Sequence, residues 1–365
     1  MIKTINLDYR RRAEALRFPG LVEVHVHLRT PGGEHKENFR TGSAAALAGG
    51  FTTLLAMPNT QPPLATYKDW RIAQTRAQKE SLCDVFLMAG ASEEHIDELP
   101  ALTQNAPALK VYLNDTYGPL RVEGIEPLRQ IFQHWNSNKP IALHAEGESL
   151  AQAIAMSAIY NQNIHICHVA RKAEIELIAD AKGRGLKVTC EVTPHHLFLT
   201  EADANRLGPL ADMRPRLGTQ EDVEALWSHI NTTIDCIASD HAPHTLEEKG
   251  LAGNLEAISI ESPPPGVPGL ESTLPLLLTA ASEGRLSYDR IQELLNTNPR
   301  RIYALPEQPQ TWVEVDEKSA YIFPDHPLYT KCGWSPFEGW RMAGRITRVV
   351  FKGNTVYQDG KVLSV

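Results

Sequence analysis

His25-Val-His27 sets two imidazoles two residues apart, and a β-strand would send both to one side, because side chains alternate with period two. Two imidazoles on one face can chelate a divalent ion, for which Zn2+ is the usual choice; satisfied core or surface histidines are the plainer alternative. His144 and His168 each end an apolar run, and either alone could be an ordinary core histidine. Together the four supply nitrogens enough for two metals, provided something bridges them. Asp240, in IASDHAPH, can bind metal and exchange a proton with water on it, or can simply cap a turn. Lys110 lies inside LKVYL, where an ammonium in an apolar interior is costly unless neutralised. Carboxylation of its amine would give a carbamate with two oxygens to bridge the metals. A snorkelling or salt-bridged lysine is the other reading.

Such residues need a frame that brings them together. Short apolar runs bounded by turn residues predict buried strands at 21–26, 52–57, 84–88, 109–113, 140–144, 164–169, 186–192 and 233–239. Amphipathic stretches between them predict helices at 37–47, 67–80, 123–135, 149–160, 171–184 and 220–230, with more near 271–296. Eight alternations imply an α/β fold, a (β/α)8 barrel, whose strand C-terminal ends converge on one mouth. The histidine pair ends the first strand, Asn59 follows the second and Lys110 lies in the fourth. His144, His168 and Glu191 end the fifth, sixth and seventh, and Asp240 follows the eighth. No GxGxxG follows the first strand, which counts against a nicotinamide enzyme. Beyond the barrel, alternating runs around Gly353-Asn354 and Asp359-Gly360 predict hairpins. The expected division is a barrel over 21–304 and a small β subdomain from 1–20 and 305–365.

Of 365 residues, 42% are hydrophobic and 22% charged, a globular composition. A net charge of -8 is a poor match to nucleic acid, and no apolar run could span a membrane. The N-terminus lacks the apolar core of a signal peptide. Five cysteines without CxxC suit reduced thiols in a cytoplasm.

In order along the chain stand VHVHLRTPG, MPNTQPP, LKVYLNDTYG, ALHAEGE, HICHVARK, CEVTPHHLFL, RPRLG, SDHAPHTLEEK and PPPGVPGLE. From Phe18 to Leu363 the sequence resembles the dihydroorotases of the amidohydrolase superfamily, especially their animal type. The resemblance implies an amidohydrolase barrel with a small β subdomain. It implies reversible cyclisation of N-carbamoyl-L-aspartate to L-dihydroorotate in pyrimidine biosynthesis. It implies one zinc on His25, His27 and Asp240, a second on His144 and His168, and carboxylated Lys110 and a hydroxide between them. Asp240 is the implied general acid and base. The animal type implies a third zinc on Cys167 and Glu191 with His144 shared; a buried structural cysteine is the alternative for Cys167.

The substrate keeps a free carboxylate, and Arg29 on the face of His27 offers it a bidentate fork. The resemblance adds Asn59, Arg214, His244 and the backbone near Pro265 as substrate contacts, and Thr116 on a loop that closes over the ligand beside Tyr117. His196 is expected behind the site. A homodimer and association with other pyrimidine enzymes are expected from the family. The segment Gly250–Glu261 stands as an insertion, and Met1 weakly favours a monofunctional enzyme over an excised domain. Two rivals share the motifs: a hydantoinase or allantoinase, against which Arg29 and Asn59 argue, and an inactive scaffold, which should have lost metal ligands.

Overall fold

The predicted apolar runs become parallel strands of one ring in the computed structural model, which describes residues 16–116, 118–251 and 263–363. Tyr117 and most of the Gly250–Glu261 insertion lie outside the described residues. The ring strands are β1 (Leu21–Val26), β2 (Phe51–Ala56), β3 (Asp84–Leu87), β4 (Leu109–Tyr112), β5 (Ile141–His144), β6 (Ile164–Ile166), β7 (Val188–Val192) and β8 (Cys236–Ile237). Neighbours pair in parallel from β1 to β3 and from β4 to β8. Ala89–Gly90 carries the line of β3 onward and pairs with β4. A parallel bridge from Val26 to His241 closes the ring, and the His27 N–H donates to His241 O at 2.8 Å.

Every residue of β1, β2, β4, β5 and β6 is buried, as expected of strands covered by helices outside and side chains inside. One buried cluster gathers Val22, Val24, Ala142, Cys167, Cys236 and Tyr303. Tyr303 ends the helix Asn298–Tyr303 and lies among the N-terminal ends of β5 to β7. The β1–β2 register shifts between Glu23 and Val26, so the inward face passes from Val22 and Val24 to His25 and His27.

Six ring strands are shorter than the predicted runs, and in two the loss is large. In the run 164–169 the regular strand ends at Ile166, although the Cys167 and Val169 N–H groups still donate to Leu143 O and Glu191 O (both 2.9 Å), and 233–239 shrinks to Cys236–Ile237. At their C-terminal ends the left-handed backbones of His168 (φ 35°) and Asp240 (φ 43°) break the ladder, and at the front of 233–239 the N–H groups of Thr233 and Ile234 turn back to His229 O (3.0 and 3.2 Å). The outer helices follow the expected amphipathic stretches. Tyr67–Glu80 buries Trp70, Ala73 and Ala77, and Trp70 donates to Leu87 O at 2.9 Å. The helix Phe39–Ala48 starts at Asn38, which makes a capping box with Thr41. Short helices at Leu99–Asn105, Pro194–Phe198 and Glu201–Leu207 have too few turns to show a periodic signal.

Leu16–Pro19 pairs antiparallel with Trp312–Ile322, and the sheet continues through Arg341–Phe351, Asn354–Gln358 and Lys361–Val362. Of the two hairpins, one turns at Asp359-Gly360 as expected and the other at Lys352-Gly353, one residue early. All four of these residues have positive φ, which suits two-residue type I′ turns.

Candidate metal centre and its rim

The strand order brings His25, His27, Lys110, His144, Cys167, His168, Glu191 and Asp240 to one region. All are buried, with Lys110 and Glu191 wholly so. Asp240 Oδ1 lies 3.2 Å from both His25 Nε2 and His27 Nε2. His25 Nδ1 sits 2.5 Å from Glu191 Oε1, so one imidazole spans the two carboxylates. His144 Nδ1 faces His168 Nε2 at 3.0 Å, and Lys110 Nζ donates to Cys167 Sγ at 2.9 Å.

Among the described residues two groups have ligand atoms all within 4.8 Å of one another: His25, His168 and Asp240, and His25, Cys167 and Glu191. The second differs from the set that the resemblance implies. The residue brought to Cys167 and Glu191 is His25; His144 turns instead to His168 and Glu146. The seam between β1 and β8 is the reason, since His25 stands where β7, β8 and β1 come together.

The charge balance fits a cation. Burial and Lys110 pull the His25 pKa down, yet Asp240 and Glu191 outweigh them and push it up to about 10. Burial raises the carboxyls of Asp240 and Glu191, but His25 and the other neighbouring histidines hold both below the usual range. Burial lowers His27 to about 4 and takes His144 and His168 down as well, leaving neutral imidazoles with lone pairs to offer. His168 Nδ1 and Asp240 Oδ1 are buried without a hydrogen-bond partner among the described residues. Imidazoles, carboxylates and a thiol that converge with unused lone pairs match the donor set of zinc. Arg29 (φ 55°), His168 and Asp240 are all left-handed, and strain of that kind costs about 1–2 kcal/mol per residue.

Beside the cluster lies a cavity of about 270 Å³ lined by Arg29, Asn59, Lys36 and Gly118, among others. Arg29 donates from Nε to Pro243 O (3.2 Å), and its Nη2 meets His244 Nε2 at 3.0 Å. Asn59 Oδ1 lies 2.8 Å from His27 Nδ1, so it orients a candidate ligand as well as lining the cavity. Pro265 O lies 3.1 Å from His244 Nε2. Burial, Arg29 and Lys36 hold the His244 imidazole neutral. Arg214 pairs with Asp212 and donates to Met213 O at 2.8 Å. Thr116 is half-buried on the loop after β4, whose Gly118 borders the cavity. His196 bonds Thr193 Oγ1 (2.8 Å) and Pro215 O (3.1 Å), which ties it to the Arg214 loop, whereas His195 Nε2 is buried without a hydrogen-bond partner among the described residues.

Four polar residues escape the sequence reading. The Glu23 carboxylate accepts the N–H of His25 and of Ser239, both at 2.9 Å, and so stitches β1 to the end of β8. Burial pushes its pKa up to about 8. His165 touches Glu191 at 3.1 Å. Lys36 reaches His244 Nδ1 (3.1 Å) and Glu248 (2.9 Å). Lys249, fully buried, donates to Asp212 O and Pro264 O and so ties the loops of Arg214 and Pro265 together. An acid inside LVEVHV and a histidine inside IHICHV are visible anomalies; the two lysines give no local signal.

Residues 15–123 match the Dihydro-orotase-like family. The chain is 47% identical over 99% of its length to the Multifunctional protein CAD of Squalus acanthias, of which it spans only 16%. It is 32% identical over 95% of its length to the dihydroorotase of Pyrococcus furiosus, covering 82% of that protein. Among solved structures, the L-hydantoinase (dihydropyrimidinase) of Arthrobacter aurescens superposes with a TM-score of 0.89 at 24% identity, over 96% of this chain and 87% of that one. The inactive dihydroorotase-like domain of the Chaetomium thermophilum CAD-like multifunctional protein superposes with a TM-score of 0.79 at 26% identity, over 96% and 97%.

Proposed function

The chain belongs to the dihydroorotase family, and from that membership we propose that it interconverts N-carbamoyl-L-aspartate and L-dihydroorotate, a cyclic amide hydrolysis and its reverse in pyrimidine biosynthesis. The observation that carries the reading is the meeting of His25, His168 and Asp240 within 4.8 Å, next to a cavity that Arg29 and Asn59 line.

We assign His25, His27 and Asp240 as residues that would hold one zinc, His144 and His168 a second, with N6-carboxylated Lys110 as a further ligand, and His25, Cys167 and Glu191 a third. Zinc in such a site polarises a carbonyl and acidifies water. The protein's own residues do the rest. The Arg29 guanidinium meets the substrate's free carboxylate, with Asn59, Arg214 and His244 around it. The Pro265 backbone holds the ring edge, and Thr116 approaches as its loop closes. In hydrolysis Asp240 takes the proton of the attacking water and delivers it to the departing amide nitrogen. In cyclisation Asp240 removes the ureido proton before that nitrogen attacks the side-chain carboxyl, and returns it to the carboxyl oxygen, which leaves as water when its bond to carbon breaks.

Purified protein with zinc quantified in the same sample should form and consume dihydroorotate, followed by ultraviolet absorbance. Zinc at two or more per chain without turnover of dihydroorotate would refute the reading. It would favour an inactive scaffold, the alternative that the likeness to the Chaetomium domain raises. Turnover of hydantoin or allantoin instead would favour a related cyclic amidohydrolase. The retention of every expected ligand supports the active enzyme. We further propose a homodimer in the cytoplasm that associates with other pyrimidine enzymes, and a division into a barrel over 21–304 and a subdomain from 1–20 and 305–365. Among the described residues no helix is long and apolar enough to cross a membrane.

A further inference from the structure

Behind the metal ligands a line of polar side chains runs down the barrel axis. Glu191 presents Oε1 to His25 Nδ1 at 2.5 Å and to the N–H of His168 at 3.3 Å. Its other oxygen, Oε2, faces His165 Nε2 at 3.1 Å. His165 Nδ1 in turn faces Thr189 Oγ1 at 2.9 Å. His165 is wholly buried, and the Tyr303 ring stands edge-on to it with centroids 5.5 Å apart. Thr189 is half-buried and lines the cavity at the opposite end of the barrel from Asp240.

Counting hydrogens fixes the direction of this line. An ionised carboxylate only accepts, so the proton on the His165–Glu191 contact belongs to His165 Nε2. A neutral imidazole then has only a lone pair at Nδ1, and the atom facing it must donate. Thr189 Oγ1 has two acceptors within reach, His165 Nδ1 and Ile164 O at 3.1 Å, and a single hydrogen to give. Donation to His165 selects the Nε2–H tautomer, the one that can hold Glu191. Donation to Ile164 would select the other, which would set a lone pair against a carboxylate oxygen.

We propose that His165 is a positioning residue that fixes the Glu191 carboxylate for metal, and that the Thr189 hydroxyl fixes the tautomer of His165. The inference rests on the assignment of Cys167 and Glu191 to a metal. Partners of this kind orient ligating carboxylates, and their loss typically weakens metal binding about 10- to 100-fold.

Cobalt(II) titration of the metal-stripped full chain tests this without reference to turnover. A thiolate-to-cobalt charge-transfer band reports the Cys167 site alone, because Cys167 is the only thiol in either ligand group. The parent should show a saturable band and Cys167→Ser none. His165→Leu should move the midpoint to about 10- to 100-fold higher cobalt, and His165→Gln, which keeps a donor, should recover much of that. Thr189→Val should weaken binding about fivefold, the worth of one buried hydrogen bond, while Thr189→Ser should match the parent. An unchanged midpoint in His165→Leu would overturn the inference while leaving the metal assignment intact. So would equal losses in Gln and Leu together with equal losses in Ser and Val, which would reduce both residues to packing. A parent without the band would sink the assignment of Cys167 to metal and this inference with it. The threonine pair differs so little in shape that it serves even if His165→Leu fails to fold.

Discussion

Glu271 offers a quantitative test of the electrostatics behind the barrel wall. It sits in the first turn of the helix Leu270–Ser282, and its carboxylate accepts the N–H of Tyr329 (2.9 Å) and of Thr330 (3.3 Å). It is 8% exposed, and burial pushes its pKa from 4.5 up to about 8. A raised carboxyl favours the protonated folded state, so its contribution is complete below the unfolded value near 4.5 and is lost as pH rises through about 8. At about 1.36 kcal/mol per pH unit, the ceiling on that loss is about 5 kcal/mol, and relaxation around the charge would leave about 2. Glu271→Gln keeps an oxygen for Tyr329 but turns an amide toward Thr330, which adds an offset that does not change with pH. The stability difference between variant and parent should therefore move in the variant's favour by about 2–4 kcal/mol from pH 5 to pH 8.5. Urea unfolding followed by tryptophan fluorescence, at fixed free zinc, measures it. Parallel pH profiles for the two proteins would show that Glu271 is ionised throughout and that the burial argument is wrong.

Asp240→Asn should abolish dihydroorotate turnover while much of the zinc stays bound; a kcat near the parent's would remove Asp240 from the proton path. Arg29→Ala should lower kcat/KM about 10- to 100-fold through loss of a charge-assisted hydrogen bond worth about 1.5–3 kcal/mol, and an unchanged kcat/KM would dismiss the carboxylate clamp. Lys249→Met strands the Asp212 and Pro264 carbonyls, so KM should rise several-fold with kcat little changed. An unaltered KM would mean that the Arg214 and Pro265 loops hold their positions without it.

What could be foreseen follows from how local each signal is. β1 matches its run residue for residue, because LVEVHV is apolar apart from the residues that do something other than pack. The run at 233–239 misleads because apolar composition reveals neither the turn that ties Thr233 and Ile234 back to His229 O nor the left-handed backbone of Asp240. The histidine pair and Asp240 at strand ends, and Lys110 inside a strand, stand out because polar groups break an apolar pattern. The choice between His25 and His144 as the partner of Cys167 and Glu191 depends on which strands meet across the ring, and no stretch of sequence encodes that locally. Lys36 and Lys249 look like surface lysines until their partners, brought from distant loops, bury them.

The metal ligands straddle the seam at which the ring closes. Glu23 accepts from Ser239, 216 residues further along the chain, and His25 and His27 come from one lip of that seam while Asp240 comes from the other. A nascent chain therefore holds only part of the ligand set until its last barrel strand has docked. Contacts this remote in sequence carry a large loop-closure cost and are late to form. Bound zinc would act as a clasp across the joint, adding its binding free energy to the closed ring alone. Chelation should then open the protein first along β1 and β8, seen as amide exchange that speeds up there before it does in β4 to β6.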